Sequence, residues 1–134
     1  MLLASNPALS DLGRLWRSDV WGPTGTPSDL YRPLVMSTSA LVQAVWSGPL
    51  LERLVSLGLH LLVTAALAMG GQQTGLSAKA AWLAAAVFAL HPASSEAAAW
   101  ITGRHDLLPA ALVICGWAVH VRGRWVLAGM LLAL

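Results

Sequence analysis

Two carboxylates, two histidines and an arginine stand within sixteen positions: His91, Glu96, Arg104, His105 and Asp106. Only 10% of the 134 residues are charged, yet this stretch holds half of the histidines and a third of the acids. These side chains are the kinds that move protons or hold anions. A carboxylate takes a proton, an imidazole gives or takes one, and a guanidinium fork matches phosphate oxygens. Pro92 suits the first residue of a helix, where its missing N–H costs nothing. From there Pro92, Glu96, Trp100 and Arg104 recur every fourth residue, which predicts one helical face. Two readings stay open: a polar loop between membrane spans with Arg104 paired to Glu96 or Asp106, and a catalytic or ligand-binding loop at the membrane surface. Metal chemistry has no motif here: His91 and Glu96 are five apart, poor for joint ligation on one helix, and no metal-spaced Cys/His set occurs.

The elements that must position this stretch are apolar. With 57% hydrophobic residues and a mean hydropathy of +0.66, gathered in long blocks, the chain reads as all-α, a multi-span helical membrane protein with outer-face amphipathic helices. A net charge of +2 with no basic run excludes a nucleic-acid partner and leaves membrane lipid as the expected surroundings. The single cysteine, Cys115, lies within an apolar block and reads as a small packing residue. Met1-Leu2-Leu3 opens no signal peptide, the apolar run from Trp125 stops at Leu134, and both ends read as cut.

Residues 1–48 predict an extracytoplasmic loop with interfacial helices. Ser10 and Asp11 cap a short helix carrying Leu12, Leu15 and Trp16, and Trp21 to Pro27 forms a loop. Pro33 opens a helix to Trp46 with Leu34, Leu41, Val42 and Val45 near one side, lying in the membrane interface with Trp16, Trp21, Tyr31 and Trp46 as its aromatics. Residues 49–134 predict a membrane bundle, with spans at about 49–69, 76–91, 107–121 and 125–134 and an outer loop at 92–106. Glu52 and Arg53 reach the surface by snorkelling, His60 at mid-span makes a helix–helix hydrogen bond, and Gly70 to Gly75 is a linker. Lys79, Arg122 and Arg124 stand without acids on one side, which the positive-inside rule makes cytoplasmic. Loops 1–48 and 92–106 then share the periplasmic or luminal side.

Three groups of residues together resemble a known family. Tyr31-Arg32-Pro33-Leu34, then Phe88-Ala89-Leu90-His91-Pro92 with Glu96-Ala97 and Ala99-Trp100-Ile101, then Gly103-Arg104 and Asp106-Leu107-Leu108 look like the signature of the transmembrane and tetratricopeptide-repeat-containing O-mannosyltransferases and their bacterial relatives. Asn6-Pro7 and Asp19 to Gly22 extend the match over nearly the whole chain. The resemblance implies a fragment of a C-type glycosyltransferase bundle that takes a mannose-like sugar from a polyprenyl-phosphate donor to a hydroxyl of a protein or another acceptor. It implies a catalytic acid at Glu96, with His91 and Asp106 as further catalytic candidates and Arg32 and Arg104 as donor-phosphate contacts. A salt bridge from Arg32 to Asp29 is the structural alternative.

The chain departs from the family at two places. The family's Asp-Asp pair and first span would precede Met1, and its His, Asn and His of the next span are here Arg53, Ser56 and His60. The expectation is therefore an N-terminal fragment that needs the missing helices and is inactive alone. The competing expectation is a non-catalytic small membrane protein, a degenerate remnant or a helical scaffold.

Overall fold

The computed structural model describes residues 33–46, 48–100 and 103–133. All regular elements among them are helices: α1 Pro33–Val45, α2 Pro49–Gln73, α3 Ala78–Leu90, α4 Pro92–Ala99, α5 Arg104–His120 and α6 Trp125–Leu132. The all-α architecture expected from the apolar blocks is thus observed. The chain forms two compact units, Met1–Glu52 and Arg53–Leu134. The helix expected around Trp16, the loop from Trp21, and Tyr31 and Arg32 lie outside the described residues.

In the first unit, α1 starts at Pro33, as a proline at the first helical position favours. Its buried residues are Val35, Met36, Ser39 and Ala40, while Leu41 and Val45 are exposed. Burial follows the pairs 35/36 and 39/40, one turn apart, and leaves the side with Leu41 and Val45 uncovered.

The long helix α2 runs from the end of the first unit through the second. Its 25 residues span about 37 Å at 1.5 Å each, enough for a hydrocarbon core of about 30 Å. It is the one described helix both long and apolar enough to cross a membrane. The polarity of its first half is inverted relative to a water-soluble helix: Ser56 and His60 are buried while Leu54, Leu57, Leu61 and Leu62 are exposed, whereas the second half buries Val63, Ala66 and Ala68. Glu52 corrects the snorkelling expectation, being buried in the first helical turn, whereas Arg53 is exposed. An acid there complements the positive end of the helix dipole.

The expected Gly70–Gly75 linker is also corrected, because α2 continues through Gln73. Its end is a paired cap in which the Leu76 N–H donates to the Gly71 carbonyl at 3.1 Å and the Gly75 N–H to the Gln72 carbonyl at 3.2 Å. Gly75 has φ +102°, a conformation that side chains resist. Ser77 then caps α3, its oxygen accepting from the Ala80 N–H at 3.3 Å.

Small residues and one histidine tie α3 to α2. The His60 Nε2–H donates to the Ala89 carbonyl at 3.1 Å, and the ring stacks on Phe88 with centroids 5.6 Å apart. This is the helix–helix bond expected of a mid-span histidine. Ala81 and Ala85 are buried, while Trp82, Leu83 and Val87 are exposed. At the far end of α2, Gly70 packs under the Trp117 ring of α5, and Arg122 Nη2 lies 3.6 Å from Met69 Sδ. The two tight turns therefore sit at the same end of the unit. The second repeats the first turn's cap: Arg124 N–H bonds to the Val119 carbonyl and Gly123 N–H to His120, with φ +74° at Gly123.

The four-span expectation is met in length by α2 alone. At 13, 17 and 8 residues, α3, α5 and α6 reach only about 20, 26 and 12 Å, short of a hydrocarbon core of about 30 Å.

Candidate functional site

The polar stretch is a helix–corner–helix unit built by His91. Its backbone is extended (φ −64°, ψ 131°), so it ends α3 and begins α4 in one residue. Its Nδ1 accepts from the Ala93 N–H at 3.2 Å, satisfying one of the donors that a helix start leaves open. With Nδ1 accepting, a neutral ring carries its hydrogen on Nε2, and His91 as a whole is exposed. Ser94 secures the same corner, donating to the carbonyls of Phe88 and His91.

The helix α4 stops at Ala99, and Trp100 turns out with extended backbone (φ −90°, ψ 136°). The expected single face through Pro92, Glu96, Trp100 and Arg104 is therefore corrected: Arg104 starts a second helix. The physical reason lies in Ile101, Thr102 and Gly103, three poor helix formers in succession. Gly103 lets the chain fold back, since a Cβ there would collide with the Ala97 backbone carbonyl.

This return leaves an open pocket of roughly 260 Å³ between α4 and the start of α5, lined by Ala93, Glu96, Ala97, Trp100, Gly103 and Asp106. Glu96 and Asp106 are both exposed and both line it. Asp106 sits in the first turn of α5, where its charge also complements the helix dipole. Arg104 differs: at 1% exposure it is buried and engaged within the fold, and it does not line the pocket. His91 stands beside the pocket as a cap. Arg32 lies outside the described residues.

The pocket thus joins two of the sequence candidates, Glu96 and Asp106, and adds two residues not singled out for it, Trp100 and Gly103. Their signal was present in the sequence as the break in helix-forming residues after Ala99. No group of three metal-ligating side chains occurs among the described residues.

The chain is similar to the mouse (Mus musculus) protein O-mannosyl-transferase TMTC4, 35% identical over 117 residues, and to the human (Homo sapiens) protein of that name, 31% identical over 121 residues. These matches cover 74% and 77% of this chain. The chain spans 16% of the length of each relative. No protein-family model matches the chain, and no solved structure does.

Proposed function

We propose that this chain is part of a membrane glycosyltransferase of the O-mannosyltransferase type, contributing one acidic side of its active site. The observation that carries the reading is the convergence of Glu96 and Asp106 on one open pocket, in a chain similar to proteins named as O-mannosyltransferases. Glu96 acts as the general base, taking the proton of the acceptor hydroxyl as the sugar carbon–oxygen bond to phosphate breaks. Asp106 holds a second hydroxyl of the bound sugar or acceptor. The donor is a polyprenyl-phosphate-linked, mannose-like sugar, whose phosphate leaves with the lipid. Arg104 favours that anion through its fixed charge at the start of α5, and Arg32 is the candidate for direct contact.

In this proposal α2, α3, α5 and α6 all lie in the membrane, with the pocket on the periplasmic or luminal side. The exposed leucines and buried Ser56 and His60 in the first half of α2 support an apolar environment, and the turn at 122–124 carries basic residues of the kind that favour the cytoplasmic side. The acceptor is a protein hydroxyl or another hydroxyl. No two aspartates are adjacent in the 134 residues, so this chain by itself is expected to be inactive.

The non-catalytic alternative draws on the burial of Arg104 and the capping role of His91, both of which a scaffold would also need. One experiment separates the two. The protein expressed from its complete reading frame is assayed in membranes for transfer of labelled sugar from polyprenyl phosphate. Glu96→Gln is expected to lower transfer by roughly 10²–10⁴-fold, the contribution of a positioned general base, with unchanged membrane content. Unchanged turnover removes Glu96 from the chemistry; absence of transfer in the wild type favours the scaffold.

A further inference from the structure

We propose that Trp100 is a stacking platform for a hexopyranose ring, which makes the pocket a sugar subsite rather than a general acidic cleft; this rests on the glycosyltransferase reading above. Three observations meet at this residue. Trp100 lines the pocket with Glu96 and Asp106, and it is 63% exposed. Its backbone has left the helix, so the indole is presented at the corner rather than packed along α4. Its immediate surroundings in the pocket are small, Ala93, Ala97 and Gly103, which leaves the space beside the ring open.

The chemistry of a pyranose suits this combination. One face of the ring is a patch of C–H bonds, slightly positive, and it seats on the negative face of an aromatic system. The rim carries hydroxyls, which donate strong hydrogen bonds to carboxylates. An indole with two carboxylates on one open pocket offers both halves of that pattern. A membrane-interface anchor, the other common use of an exposed tryptophan, has no need of the acids.

The test uses the full 134-residue chain in detergent micelles and saturation-transfer NMR, with methyl α-mannoside and mannose 1-phosphate as separate probes. Saturation of ring C–H protons is expected in the wild type. Trp100→Ala is expected to weaken apparent affinity by roughly 3–10-fold, the loss of one aromatic contact, while Trp100→Phe keeps most of it. Trp125→Ala, which alters an exposed tryptophan outside the pocket, is expected to bind as the wild type does. A stronger signal from the phosphate probe assigns the ring to the donor, and one from the glycoside to the acceptor; both support the platform. Wild-type binding by Trp100→Ala, equal losses in the Ala and Phe variants, or no wild-type signal overturns it. If Glu96→Gln abolishes transfer in the complete protein while Trp100→Ala binds normally, the platform fails and the catalytic reading stands.

Discussion

Alanine substitutions at five glycines are expected to sort by what each new methyl group meets. At Gly103 a Cβ collides with the carbonyl, carbon and Cα of Ala97, all backbone atoms that cannot rotate away. Overpacking costs about 1–3 kcal/mol, and this site belongs at the upper end because relief requires α4 and α5 to separate. Gly58 and Gly129 lie within helices with nothing inside 4 Å of the added atom. There alanine gains about 0.8–1 kcal/mol of helix propensity. Gly75 and Gly123, at positive φ, lose about 1–2 kcal/mol for the left-handed backbone. The expected spread between Gly103→Ala and Gly58→Ala is therefore about 3–4 kcal/mol, the sum of a steric loss and a propensity gain. Unfolding in mixed micelles, followed by far-ultraviolet circular dichroism as denaturing detergent is added, reads the order directly. Equal stability of Gly103→Ala and Gly58→Ala would refute the close return of the chain against Ala97, and with it the pocket that this return creates.

Three further perturbations test other contacts. His91→Ala is expected to destabilise by about 1 kcal/mol through loss of the cap, while His91→Asn restores both stability and sugar transfer, as a cap residue would and a proton carrier would not. His60→Ala loses a membrane hydrogen bond worth about 0.6 kcal/mol together with the buried ring's packing, for a total near 2 kcal/mol. A double-mutant cycle with Phe88→Leu measures the stacking share, and a coupling of zero contradicts the observed ring contact. Single cysteines at Gln73 and Ser95, in a Cys115→Ala background, are expected to react with impermeant maleimide from opposite faces of sealed vesicles; labelling from the same face contradicts the proposed topology.

Helix starts were the most legible part of this sequence. Pro33, Pro49 and Pro92 each stand at the first helical position, because proline's missing N–H and fixed φ are read locally. Helix ends and faces were less so. Gly70 and Gly71 looked like a linker by composition, yet Gly70 is held in the helix by the Trp117 ring, forty-seven positions along the chain. A packing use of glycine needs a partner that the local sequence does not name. Likewise the four-residue rhythm from Pro92 to Arg104 was real, but three weak helix formers interrupted it, so Arg104 went inward at the start of α5. Within the candidate site, Glu96 and Asp106 stood out because acids are scarce in an apolar chain. Trp100 and Gly103 stood in the same stretch without a site role, since their places in the pocket follow from the fold-back rather than from residue type.

The central claim is that Glu96 serves the chemical step. Its most direct test measures donor binding and sugar transfer side by side in membranes holding the complete protein, wild type against Glu96→Gln. Photo-crosslinking to a polyprenyl-phosphate sugar reports binding, and labelled acceptor reports transfer. Crosslinking is expected to persist while transfer falls by at least roughly 10²-fold. Transfer at the wild-type rate in Glu96→Gln would contradict it.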